Sequence, residues 1–287
     1  MALSDFCRIG RCLNIHKSKE EISMKRIVNS RIVLAGIFVV AGLSNLHAQK
    51  GCSNATLNGA YGFYSSGIVL PNRTPRVTVG REVYDGNGHF SNTFTVNDNG
   101  AVSHNNGSGT YNVNPDCTGT IFTTLGMLQL RLDFVIADGG NEIHFLIGSN
   151  PPILDVYGVR KKQFPNFERE CSNADLEGTY GFYSTGSVVP AGTPRFTVGR
   201  ETYDGAGHFS DLFTVNDNGA QTQHTNSGLY TVNRDCTGTI VTPLGLLILT
   251  IDFVIVDSGR EIYFMVSSNP AGVAVYGVRT KFSADQE

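Results

Sequence analysis

The chain of 287 residues predicts an all-β protein of two tandem antiparallel domains, each an eight-stranded up-and-down barrel, with a β-sandwich as the alternative. Three observations carry this. The stretch Gly109-Thr110-Tyr111-Asn112-Val113-Asn114-Pro115-Asp116-Cys117-Thr118-Gly119-Thr120-Ile121 returns 119 residues later (236 − 117), from Gly228 to Ile240. The same shift takes Cys52 to Cys171, His89 to His208 and Tyr157 to Tyr276 without insertion, so one unit is written twice. Within a unit, short runs rich in β-branched and aromatic residues alternate with Gly, Asn and Asp clusters, and no stretch after residue 48 shows the 3.6-residue period of an amphipathic helix. Short links force neighbouring strands to be antiparallel. Closing such a meander into a barrel removes its unpaired edges.

In the first copy Tyr61 to Val69 opens the meander, and Arg76 to Tyr84 follows with Val77, Val79 and Val83 alternating against Thr78, Glu82 and Tyr84. Asp85-Gly86-Asn87-Gly88 then turns the chain, because Asp-Gly and Asn-Gly accept the positive φ that tight hairpins require. His89 to Val96 is the third strand, ended by Asn97-Asp98-Asn99-Gly100. A polar loop through His104-Asn105-Asn106-Gly107 leads to strands four and five, Gly109 to Val113 and Gly119 to Thr124, around an Asn-Pro-Asp turn. Leu128 to Ala137, Glu142 to Gly148 and Leu154 to Arg160 complete the eight.

Residues 1–48 read as an export signal. Lys25, Arg26 and Arg31 precede the uncharged apolar run Ile32 to Leu43, and Leu46-His47-Ala48 offers a small-residue cleavage site. The run is shorter than the roughly 20 apolar residues of a membrane span. Met24 is an alternative start. The domains then run from residue 49 to 163 and from 171 to 287, joined by a linker at 164–170 whose Phe164 and Phe167 argue for touching domains.

The whole chain carries a formal charge of −3; without residues 1–48 it has 22 − 7 = 15 positive and 25 − 3 = 22 negative side chains, or −7. An acidic surface repels phosphate backbones and anionic lipids, which excludes nucleic acid and stable membrane attachment as partners. Cys52, Cys117, Cys171 and Cys236 remain after signal removal, each pair 65 residues apart. Of three connectivities, the repeat favours Cys52 with Cys117 and Cys171 with Cys236, since a duplicated unit carries its own bridge. A secreted or periplasmic location makes oxidation the expectation.

Tyr-x-Val-Asn-x-Asp-Cys-Thr-Gly-Thr, with the opening Cys-Ser-Asn-Ala and the mid-domain Tyr-Asp-Gly-x-Gly-His-Phe, resembles a group of small exported bacterial domains of unassigned function. Their strand pattern is similar to the eight-stranded barrels of the allene oxide cyclase and dirigent type. The resemblance implies a barrel fold and carries over no catalytic residue.

Motifs for standard chemistry are absent: no Gly-x-Ser-x-Gly, Cys-x-x-Cys, His-Glu-x-x-His or phosphate loop occurs. The Asn/Asp/Gly clusters lack the ligand spacing of an EF-hand and are what hairpins need, so neither a metal nor a cofactor is expected. His89 and His208 lack nearby ligand spacing. The candidate site residues are charges set inside strands: Arg76, Glu82 and Asp133, with counterparts Arg195, Glu201 and Asp252. Mid-strand charges usually face solvent; buried, they need partners. Arg76 and Glu82 share a strand face because their spacing is even. A polar lumen cluster under an apolar wall suits a small apolar ligand. The sequence therefore points to an exported, non-enzymatic binding or surface-interaction protein. The alternatives are a barrel enzyme of isomerase or cyclase type using Glu82, Asp133 and Arg76, and a structural subunit of an oligomer. Strands six and seven, apolar on both faces, are the expected seat of a homo-oligomer or inter-domain contact.

Overall fold

A computed structural model describes residues 51–126, 128–148, 152–165, 169–244, 247–268 and 272–282. The export segment, the Met24 start and Phe167 lie outside them. Strands β1 (Asn58–Val69), β2 (Thr74–Asp85), β3 (His89–Asp98), β4 (Ala101–Val113), β5 (Thr118–Leu125), β6 (Leu128–Ala137), β7 (Glu142–Gly148) and β8 (Leu154–Lys162) form one closed barrel. Strands β9 (Gly178–Val188), β10 (Thr193–Tyr203), β11 (His208–Asp217), β12 (Ala220–Val232), β13 (Thr237–Leu244), β14 (Leu247–Val256), β15 (Glu261–Val266) and β16 (Val273–Lys281) form the second. Every neighbour pair is antiparallel, and β1 closes on β8 from Tyr61↔Lys162 to Val69↔Leu154. The barrel reading holds and the sandwich alternative falls.

The turns form for local reasons. Asp85 Oδ1 accepts from the backbone N–H of Asn87 (2.7 Å) and of His89 (3.0 Å), while Gly86 and Gly88 take φ of 75° and 105°. In the hairpin between β4 and β5, Asp116 Oδ1 accepts from Thr118 N (3.0 Å) and Oγ1 (2.7 Å). Cys117 there has φ of 67°, in the left-handed region, and is bonded to Cys52; Cys236 (φ 70°) is likewise bonded to Cys171.

One reading is corrected. His104 to Gly107 is not a loop but the middle of β4, paired with β3 from Asp98↔Ala101 to His89↔Thr110. Its polar side chains mimic a loop because they meet solvent, the lumen mouth and the crevice between barrels, where no apolar alternation is needed.

One end of each barrel is stoppered. A single 3-10 turn (Asn54–Thr56) sets Leu57 into the base, where Tyr61, Tyr84 and Tyr111 pack edge to face, with Tyr84 5.4 Å from Tyr61 and 5.0 Å from Tyr111. Their polar tips are tied down: Tyr61 donates to Gly140 O (2.5 Å) and Tyr111 to Leu57 O (2.9 Å). Leu176, Tyr180, Tyr203 and Tyr230 repeat this floor in the second barrel. Any accessible lumen must therefore open at the opposite end, near the β1–β2, β5–β6 and β7–β8 links and their counterparts.

The barrels pack side by side. The outer face of β1 and β2 (Tyr64, Val77, Val79) lies on the outer face of β14 to β16, where Val254, Val256, Tyr263, Met265 and Tyr276 are buried. Tyr64 meets Tyr263 and Tyr276 with ring centroids 4.9 Å apart in each case. Gly62 permits the approach, since a Cβ there would come within 2.4 Å of Val256 Cγ1. The joining segment is part of the contact: Gln163 Nε2 donates to the carbonyls of Asp235 (3.2 Å) and Ile255 (3.3 Å), and Phe164 enters the second core.

Candidate functional site: two unequal lumens

Above each tyrosine floor sits a buried ion pair. Glu82, on β2, is 1 % exposed and pairs with Arg160 of β8, which is 2 % exposed. The guanidinium stacks over Phe145 at 3.8 Å, and Tyr84 donates to Glu82 Oε2 (2.6 Å). In the second barrel Glu201 pairs with Arg279, which lies 3.8 Å over Phe264. Burial works to lower the pKa of each arginine, but the adjoining carboxylate outweighs it and the net shift is upward. Tyr203, the counterpart of Tyr84, keeps the same kind of neighbour: burial first, and the charge and hydrogen bond of Glu201 with it, hold its pKa well above the usual tyrosine value.

Nearer the mouth, Arg76 donates to both carboxylate oxygens of Asp98 (2.8 and 2.6 Å), directly opposite on β3. Arg195 and Asp217 repeat the pair at 2.6 Å. Thus Arg76, Glu82, Arg195 and Glu201 line lumens. Asp133 does not: it sits on the exposed face of β6, paired with Arg131 at 2.7 Å. Asp252 faces outward too, in the crevice beside the first barrel, accepting from Thr95 Oγ1 (2.7 Å) and Thr239 Oγ1 (3.3 Å), with His104 Nδ1 at 3.6 Å. The two aspartates take no part in a lumen cluster. Among the described residues no group of three or more His, Cys, Asp or Glu is placed to hold a metal ion.

The lumens differ in size. The first holds about 80 Å³ and the second about 590 Å³. The copies differ near the mouth. Ile153 packs on the first core and Leu154 lines its lumen, whereas the counterparts are Gly272 and Val273. Among the described residues, a Cβ added to Gly272 would meet nothing within 4 Å. Exposed Leu247 and Ile248 form an apolar lip to the larger cavity, whose wall includes Phe182, Phe213, Leu249, Ile251 and Val275.

They also differ in charge. Glu82 faces Asn92 across β2 and β3, and the amide donates to it (3.2 Å). Glu201 faces Asp211 instead. Asp211 Oδ1 accepts from Asn226 N (2.8 Å), and burial, followed by the Glu201 charge, pushes its pKa up to about 6. Such a carboxyl can hold or release a proton near neutrality. His224, stacked on Phe213 at 5.3 Å, stands where the first copy has Asn105. Arg160, Arg279 and Asp211 escape sequence reasoning. Recurrence draws the eye to Glu82 and Glu201, while Asp211 is legible only as a position where the copies disagree.

No protein-family model matches the chain, and no curated protein matches it. Solved structures it is similar to include an AttH-like protein from Nitrosomonas europaea (10 % identity, TM-score 0.26, covering 79 % of this chain and 93 % of that one). Kievitone hydratase from Nectria haematococca gives 8 % identity and TM-score 0.29, covering 82 % and 93 %. A protein of unknown function of the DUF3598 family from Nostoc punctiforme gives 12 % and 0.26, covering 79 % and 97 %.

Proposed function

We propose that this is an exported, non-enzymatic binding protein whose second barrel takes up one small, mostly apolar molecule through its open end. The observation that carries the reading is the inequality of the lumens: the same scaffold encloses about 80 Å³ in one copy and about 590 Å³ in the other. That volume falls in the range of small-molecule sites, and an aromatic and aliphatic wall over a few convergent polar groups is their usual make-up. The resemblance in strand pattern to allene oxide cyclase and dirigent barrels supports a lumen rather than an outer-surface site. The apolar run Ile32 to Leu43 and the two disulfides support export.

The lining charges select the head group. Arg279 and Arg195 are ion-paired with Glu201 and Asp217, which leaves Asp211 as the lining carboxyl with no ion pair among the described residues, although the Arg279 charge acts on it from a distance. A ligand that donates a hydrogen bond or carries a positive charge would be held there, and a carboxylate would be repelled. The test is a thermal-shift comparison of dodecylamine, dodecanol and dodecanoate, below their micelle concentrations and near neutral pH. The amine and the alcohol are expected to raise the melting temperature and dodecanoate is not. A protein that responds to none of the three, or to dodecanoate most strongly, would overturn the reading.

A further inference from the structure

The contact between the two barrels joins unlike faces, and this leaves each face's counterpart uncovered. The β1–β2 face of the first barrel lies on the β14–β16 face of the second. Val77 and Val79 are 2 % and 3 % exposed there; their counterparts on β10, Phe196 and Val198, are 53 % and 62 % exposed. Across the contact Val254 and Met265 are fully buried, but Val135 and Leu146, which hold their places in the first barrel, are 44 % and 53 % exposed. Tyr183, counterpart of the interfacial Tyr64, is exposed as well.

We infer that a second copy of this chain covers these faces, its β6–β8 face docking on the β9–β10 face of the first copy in the same way that the barrels dock within one chain. The occupant follows from the contact already made: its β1–β2 half recurs on β9–β10, and of its other half Val135, Leu146, Tyr157 and Val159 recur, while His144 and Asp155 stand in place of Tyr263 and Ala274. The polar clamps repeat along with the apolar surface. Asn97 holds its Oδ1 against Gly100 N (2.8 Å) and donates from Nδ2 to the carbonyls of Val266 (3.2 Å) and Val273 (2.9 Å) of the other barrel. Asn216 is held identically by Gly219 N (2.7 Å), with no hydrogen bond from its Nδ2 among the described residues. Thr95 reaches Asp252; Thr214 and Asp133 are the corresponding pair. Gly181 stands where Gly62 does, but the space that Val254 and Val256 fill over Gly62 is taken there by the chain's own Phe282, opposite which the incoming copy has the smaller Ala137 in place of Val256. A joint between unlike faces propagates head to tail, giving a closed ring where the rotation allows and an open chain of barrels where it does not.

Light scattering on the full chain across a wide concentration range tests this, together with two variants at exposed positions, Val198→Lys and Leu146→Lys. Wild type is expected to exceed the mass of one chain, and each variant alone to run as a monomer. An equimolar mixture of the two is expected to stop at two chains, because it retains one intact pair of faces. Phe196→Glu and Val135→Lys form an independent pair on the same faces, should either lysine variant lose the wild-type melting transition. A wild type that stays monomeric at the highest concentration, variants that assemble like wild type, or a mixture that stays monomeric would each overturn the inference.

Discussion

Glu201 on β10 stands directly opposite Asp211 on β11, two carboxyls where the first barrel sets Glu82 against Asn92. The pKa of Asp211 is raised from 3.8 to about 6, by burial first and by Glu201 second. A carboxyl that binds its proton more tightly when folded adds stability that is full below the unfolded pKa, near 4, and is lost as pH rises through about 6. The side chain is open to the lumen, so screening leaves an effect of about 1 kcal/mol. Asp211→Asn, which copies the first barrel, should flatten the melting temperature between those pH values and raise it at neutrality. A pH series of thermal melts on the two proteins checks this.

Two tyrosines at equivalent positions each lean on a buried glutamate. Tyr84 donates to Glu82, and Tyr203 is set against Glu201. Removing a hydrogen bond to a charged group costs about 1.5–3 kcal/mol. Chemical denaturation of Tyr84→Phe and Tyr203→Phe should therefore show a loss of that order in each.

The ion pairs beneath the lumens are structural supports. Arg160 and Arg279 are each 2 % exposed, and leaving Glu82 or Glu201 buried without its partner should cost about 3–5 kcal/mol. Arg160→Met and Arg279→Met are expected to lower the denaturation midpoint of the barrel that carries them.

Each disulfide closes a 65-residue span. By the chain-entropy relation, Cys171→Ala with Cys236→Ala should destabilise the second barrel by about 4 kcal/mol, an upper value where strain intervenes. Denaturation under oxidising conditions measures it.

The fold was legible because its signals are local. Asp85-Gly86-Asn87-Gly88 announces a hairpin through its own backbone preferences, and the 119-residue repeat doubles every such signal. Strand parity likewise puts Arg76 and Glu82 on one face. Which face points inward is not local, because it depends on barrel closure, which brings Arg160 from 78 residues away to Glu82. Asp133 has the same mid-strand look as Glu82 and points the other way. The lumen's character was hidden for a further reason. Repetition marks what the copies share, such as floor, turns and disulfides, whereas the lumens differ at Gly272 against Ile153 and Asp211 against Asn92.

The central claim, that the second lumen is an open receptor, is tested most directly by refilling its mouth from the first copy. The variant Gly272→Ile with Val273→Leu puts the first copy's larger side chains at the mouth, where a Cβ on Gly272 meets nothing within 4 Å among the described residues. Calorimetric titration with dodecylamine should give one site per chain in wild type and none in this variant, with melting behaviour otherwise retained. Equal binding to both proteins, or none to wild type, would contradict the account.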